Sequence, residues 1–372
     1  MKVHNSLQRE RFACTLAHQA PDRVPMDLNS TDMTGIDGEP RRLAPLLGIK
    51  PAASGAETDE AVLRALDTDI RGVGGILHHD SELACQVSAT EMVDMWGIGY
   101  RFNGHHYEAV DRPLHGATLA DLETYPWPDP DRLDPALIAG IRERARFLYE
   151  ETPHVVCARH PCYGVMELGC WMCGFDDFLY RMAAEPEFVH RFFDIVYDYQ
   201  RRIQDVYYAA VGPYTHFTTS GDDFGTQTGP FLSPKMFAEL VKPYLQARIE
   251  QIRRFTDAAF FHHTCGSVFE LIPHLLDAGV DILNPIQPRT RNMEPERLKQ
   301  AFGDRLTFYG GVDTQYLLPQ GTVAEVEQAT RALIRTLGAS GGYILSAAHT
   351  LQDDVPDENI LAFYRVGREG QA

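Results

Sequence analysis

After residue 135 the chain switches repeatedly between two hydrophobic periods. Stretches at 136–149, 176–184, 186–211, 234–254, 267–278, 295–302 and 323–337 have helical spacing of their apolar residues. Between them lie short apolar runs at 154–158, 214–219, 258–263, 280–284, 306–310 and 342–346, which read as strands. Strand and helix in alternation imply parallel pairing with helical crossovers. Residues 6–17 form one earlier helical stretch, closed by Pro21 and Pro25, and two more strand runs fall near Val24 and at 67–72. About eight strands match a (β/α)8 TIM-type barrel of ~250 residues plus insertions. The competing open doubly wound sheet has no Gly-x-Gly-x-x-Gly to favour it. Weakly periodic chain at 31–56 and a Tyr/His/Pro-rich stretch at about 97–134 read as N-terminal and lid insertions on one domain spanning 1–372.

Composition narrows the function classes. With 44% hydrophobic residues in 372, the chain can bury a sizeable core, which excludes a disordered or fibrous protein. A formal charge of −18 repels phosphate backbones and anionic lipid, so nucleic acid is not an expected partner. No apolar run approaches the roughly 20 residues needed to cross a bilayer. The opening residues lack a signal-peptide or transit-peptide pattern, so a cytoplasmic protein is expected. Seven cysteines, an odd number without secretion signals, point to free or metal-bound thiols in a reducing compartment.

In a barrel, reactive groups gather where strands end. The polar residues there are Asp27 and Asn29, Asp69 and Arg71, Arg159 and His160, Asp222 and Asp223, His263 and Cys265, Asn284 and Gln287, Asp313 and His349. The sharpest cluster is Phe261-His262-His263-Thr264-Cys265-Gly266-Ser267, a strand ending in His-x-Cys with Gly-Ser opening the next helix. Alternate residues of an extended segment share a face, so His263 and Cys265 can converge on one metal while His262 points away. Imidazole with thiolate suits zinc and argues against magnesium or calcium. A catalytic zinc usually takes three protein ligands; His349 is the best-placed third, with Glu167, Asp222 and Asp223 as alternatives.

The remaining motifs are weighed against simpler packing roles. Cys170-Trp171-Met172-Cys173 has C-x-x-C spacing but no second pair, and its apolar filling suits a core helix. His78-His79 and His105-His106 sit in loop-like segments without a thiolate or carboxylate at ligand spacing, and read as surface or lid residues. Asp222 and Asp223, bounded by Gly221 and Gly225, are adjacent carboxylates that are costly unless they bind something or cap a helix, which makes them catalytic candidates. Asn29, Asp69, Gln227 and Asn284 are candidate substrate contacts.

These motifs together resemble the uroporphyrinogen decarboxylase superfamily, and within it the zinc-dependent corrinoid methyltransferase branch more than the heme-pathway decarboxylase. The resemblance rests on Pro21-Asp22-Arg23-Val24-Pro25, Gly221-Asp222-Asp223-Phe224-Gly225-Thr226-Gln227, His263-Thr264-Cys265-Gly266, Tyr309-Gly310-Gly311-Val312-Asp313 and Val355-Pro356-Asp357-Glu358-Asn359-Ile360, and so spans nearly the whole chain. It implies a distorted (β/α)8 barrel with its cleft at the strand carboxyl ends. In the methyltransferase branch a His-x-Cys and a distant second Cys bind zinc; His263 and Cys265 match the first two, while His349 stands at the third position. That position also resembles a substrate-binding histidine of the decarboxylase. The decarboxylase's basic motif after its first strand is replaced here by Met26-Asp27-Leu28-Asn29-Ser30-Thr31-Asp32, whose acids would repel a polycarboxylate porphyrinogen.

The expected activity is therefore zinc-dependent methyl transfer with a corrinoid cofactor or corrinoid protein, in which a metal-activated thiolate of a small-molecule substrate accepts the methyl group. Two other classes stay open. One is a metal-independent decarboxylase or lyase using Asp69 or the Asp222/Asp223 pair; the other is a noncatalytic tetrapyrrole or corrinoid binder. Neither the methyl donor and acceptor nor the oligomeric state can be read from the chain.

Overall fold

The computed structural model describes residues 6–104 and 107–370, so His105 and His106 lie outside the described residues. Strand β1 (Ile70–Gly74) is followed by four short strands, β2 (Cys85–Gln86), β3 (Glu91–Val93), β4 (Gly99–Phe102) and β5 (Tyr107–Asp111). The rest of the chain supplies β6 (Val155–Arg159), β7 (Phe217–Gly221), β8 (Ala259–His263), β9 (Ile282–Ile286), β10 (Thr307–Val312) and β11 (Tyr343–Ala347). Strands β1 and β6 to β11 form one seven-stranded sheet in chain order, with every neighbouring pair parallel. Each of the six runs read as strands after residue 135 is a strand of this sheet.

The sheet curls around a small interior cluster. Ile70, Val155, Cys157, Phe217, Phe261, Ile282, Tyr309 and Ile344 come from its seven strands, and Phe12 joins them from the helix Leu7–Leu16. That helix starts on a Ser6 cap, whose hydroxyl accepts the Arg9 N–H. The segment expected as a strand near Val24 forms a single bridge, Met26 to Leu345. It is tied on one side by Asp27 N–H to Leu345 O (3.0 Å) and Leu345 N–H to Pro25 O (2.8 Å), and on the other by Asp69 N–H to Met26 O (2.8 Å). Residues 24–27 thus lie between the two edge strands, β11 and β1.

Helices cover the outer face. The longest, Pro186–Val211, buries Phe188, Phe192, Val196, Ile203 and Tyr207 on one stripe, the periodicity its sequence shows. Residues 165–173, which hold the C-x-x-C pair, form a helix in which Cys170, Met172 and Cys173 are buried, the packing reading of that motif. Helices Gly55–Ala65 and Asp357–Gly367 were not among the predicted stretches. The chain between β1 and β6 holds an antiparallel sheet of β2 to β5 and a short helix, Leu119–Thr124. That sheet begins before residue 97; strands of two to five residues are too short to show a period in sequence. Among the described residues, no helix is long and apolar enough to cross a membrane.

Candidate metal centre

Strand parity decides what faces inward. Phe261 belongs to the interior cluster, so His263, two residues on, points the same way at the carboxyl end of β8, while Phe260 and His262 face the surrounding layer. His262 hydrogen-bonds Ser220 Oγ at 2.7 Å and stacks on Phe224, and burial lowers its pKa to about 3. His263 and Cys265 converge: His263 Nε2 lies 3.4 Å from Cys265 Sγ. His349, just past β11, completes the group, with one ligand atom from each of the three residues lying within 4.8 Å of the others.

The surroundings fix the protonation pattern of His263. Asn284, fully buried in the middle of β9, donates from Nδ2 to Tyr309 O (3.2 Å), so its Oδ1 faces His263 Nδ1 at 2.6 Å. His263 therefore carries its proton on Nδ1 and presents the Nε2 lone pair to Cys265, the tautomer a metal ligand needs. His349 is arranged differently. Thr350 N–H donates to its Nδ1 at 2.8 Å, which leaves Nε2 as the protonated nitrogen of the neutral ring. Burial, reinforced by neighbouring His263, lowers its pKa to about 4, so the ring is neutral at pH 7. Ligation through either nitrogen requires His349 to give up the Thr350 hydrogen bond.

Carboxylates border the centre. Asp223 Oδ1 accepts the Cys265 N–H at 2.7 Å and lies 3.7 Å from His263 Nε2. Burial, then the Asp223 charge, pushes the Cys265 thiol up, so without a metal it stays protonated. Burial also raises Glu167 well above the ordinary carboxyl range, with Asp223 and Asp222 adding to the shift. Asp222 accepts the N–H groups of Met166 (3.1 Å) and Glu167 (2.7 Å) at the start of the helix Val165–Cys173, and burial raises its pKa to about 7. Its carboxylate is occupied as a helix cap, whereas Asp223 borders the candidate ligands His263 and Cys265.

The other sequence candidates separate clearly. Asp69 precedes β1 and so lies at the amino end of the sheet, fully buried between Arg11 (2.5 Å) and Arg23 (2.7 Å), and it also accepts the Met26 N–H. That corrects its placement at a strand carboxyl end: the strand starts at Ile70, one residue after it. Asn284 hydrogen-bonds His263 Nδ1 and is fully buried. Gln227 is exposed on a reverse turn closed by Thr226 N–H to Gly229 O. Asn29 has a left-handed backbone (φ 63°), and its carbonyl accepts from Arg159 Nη2 at 2.5 Å. Asp313 caps a turn through the N–H groups of Gln315, Tyr316 and Leu317.

Two residues beside the candidate ligands lay outside the predicted site set. Gln287, which was visible only as a polar residue ending a strand, accepts the Gly266 N–H on Oε1 at 2.7 Å and places Nε2 3.8 Å from Cys265 Sγ. His160 is buried at the end of β6, with Nδ1 on Thr219 Oγ1 at 2.9 Å. The glycines around the candidate ligands have a steric role. Gly266 has φ +88°, and a Cβ there would lie 2.4 Å from the Gly225 carbonyl carbon. The Cys265 loop and the Asp223 loop can touch backbone to backbone only because both positions are glycine.

Residues 88–370 match the family model for uroporphyrinogen decarboxylase (URO-D). A methylated-thiol–coenzyme M methyltransferase from Methanosarcina mazei is 22% identical over 269 residues, covering 71% of this chain and 67% of that protein. A solved methyltransferase structure from Methanosarcina mazei superposes with a TM-score of 0.65 at 16% identity, covering 98% of both chains. By its sequence match and its relatives, the chain belongs to the uroporphyrinogen decarboxylase (URO-D) family, as an enzyme on its methyltransferase side.

Proposed function

We propose that the protein is a zinc-dependent methyltransferase whose methyl acceptor is the thiolate of a small molecule and whose methyl carrier is a corrinoid, free or held by a partner protein. The supporting observation is the convergence of His263, Cys265 and His349 at one strand-end position. An imidazole lone pair fixed by Asn284 and a thiol 3.4 Å away are a donor set suited to zinc. His349 is the adjustable third donor, since its tautomer must change to ligate. In the same reading, residues 24–27 are the eighth strand position of a (β/α)8 barrel, between β11 and β1.

A zinc ion at this centre supplies the positive charge that keeps an incoming thiol ionised near neutral pH. The chain's own residues do the rest. Asn284 holds the His263 proton on Nδ1, and Asp223 anchors the Cys265 backbone. Glu167, whose carboxyl pKa is raised by burial above its ordinary range, interacts electrostatically with the Cys265 thiol. The corrinoid follows from the family's methyltransferase side, and the named relative's thiol chemistry supports a sulfur acceptor.

Metal analysis of the purified protein and its Cys265→Ser variant tests the proposal. Stoichiometric zinc in the parent and its loss in the variant are expected. A parent without stoichiometric zinc, or a variant with unchanged metal content, refutes it. Full activity in excess chelator, lost on Asp223→Asn, would instead support a metal-independent lyase.

A further inference from the structure

The two candidate donors at the carboxyl end of β8, His263 and Cys265, are both buttressed from β9 and the residue that follows it. Asn284 bonds His263, and Gln287, three residues later, reaches the loop that carries Cys265. The orientation of the Gln287 amide is set by its partners. The Gly266 N–H needs an acceptor and takes Oε1 at 2.7 Å, so Nε2 must face Cys265 Sγ, 3.8 Å away. One side chain therefore grips the backbone after Cys265 and directs an N–H at its sulfur.

We infer that Gln287 is a positioning residue for the Cys265 thiolate, holding the sulfur toward the metal centre and drawing electron density from it through an N–H···S hydrogen bond. The inference rests on the metal reading given above. A thiolate that accepts a hydrogen bond donates less charge to its metal, which leaves the metal more electrophilic toward an incoming thiol. Asn284 and Gln287 divide the work: one sets the tautomer of the nitrogen donor, and the other sets the aim and basicity of the sulfur donor. A purely structural role for Gln287 would require only the Oε1 bond to Gly266.

Two substitutions separate these roles. Gln287→Glu keeps an acceptor for the Gly266 N–H but removes the N–H donor to sulfur; Gln287→Met keeps the side-chain length and removes both. The full chain loaded with cobalt(II) reports on the sulfur through its sulfur-to-cobalt charge-transfer band, and chelator competition reports zinc affinity. Both variants should move that band to lower energy, and Gln287→Met, which also frees the backbone after Cys265, should weaken zinc binding about tenfold or more. Asn284→Ala should weaken zinc while leaving the sulfur band in place. A Gln287→Glu protein with the parental band overturns the inference and leaves Gln287 a loop anchor. A parent chain that takes up neither cobalt nor zinc overturns the metal reading itself, and this inference with it.

Discussion

Replacing Asp69 by Asn removes one negative charge from the most deeply buried ion cluster described in the fold. Asp69 is fully buried and accepts from Arg11 Nη1 (2.5 Å), Arg23 Nη1 (2.7 Å), Arg23 Nη2 (3.2 Å) and the Met26 N–H (2.7 Å). Both arginines are buried too, and each keeps one outer acid: Arg11 keeps Asp22, and Arg23 keeps Asp67, both about half exposed. Breaking a buried pair by removing one partner costs about 3–5 kcal/mol, because the surviving charge stays desolvated. The retained outer acids place the loss at the lower end, about 3 kcal/mol, which is a large share of a typical stability of about 5–15 kcal/mol. The cluster also ties Met26 to β1 at the amino end of the sheet, opposite the candidate metal centre. Urea unfolding of Asp69→Asn should show this loss while metal content per folded chain stays at the parental value. A change below about 1 kcal/mol would refute the electrostatic reasoning. Loss of metal or activity in a variant of parental stability would return Asp69 to the catalytic candidates.

His349→Ala should weaken zinc binding less than His263→Ala or Cys265→Ser, because His349 must surrender its Thr350 hydrogen bond to ligate; equal losses in chelator competition would contradict this. Asp222, raised from an ordinary 3.8 to about 7, holds its proton more tightly when folded than when unfolded. Its contribution to stability is therefore complete below about pH 4 and is lost as pH rises through 7, on the order of 4 kcal/mol at most. Glu167 shifts in the same direction. Comparing parent and Asp222→Asn melting temperatures across that range should show the parent's relative advantage shrinking as pH rises, and a flat difference would refute it. Gly266→Ala should cost about 1–2 kcal/mol from its left-handed backbone alone, with more from the contact at Gly225, and should lower metal affinity by displacing Cys265. Parental stability and affinity in that variant would show that the two loops can separate freely.

How much was legible in the chain follows from the range of the interactions involved. Alternating helix and strand periods located the sheet after residue 135, because one-sided burial writes a local repeat into each element. His263 and Cys265 were readable because two residues in an extended segment share a face whatever the rest of the fold does, and the same parity turned His262 away. The strand read at 67–72 runs instead from Ile70 to Gly74, because polar residues and glycines blur its ends, so Asp69 precedes the strand it was expected to finish. The hydrogen bond of Asn284 to His263 was not legible for a related reason. The role of Asn284 depends on His263, 21 residues earlier, and on the Tyr309 carbonyl, 25 residues later.

The sequence by itself determined the parallel α/β architecture and one imidazole–thiol pair at a strand end, since both follow from periodicities of two and 3.6 residues. Tertiary structure decided which nitrogen of each histidine is free, that Asp222 caps a helix while Asp223 borders the candidate ligands, and that Asp69 lies at the opposite end of the sheet. Those outcomes depend on hydrogen bonds and desolvation between residues far apart in the chain, which no local pattern encodes.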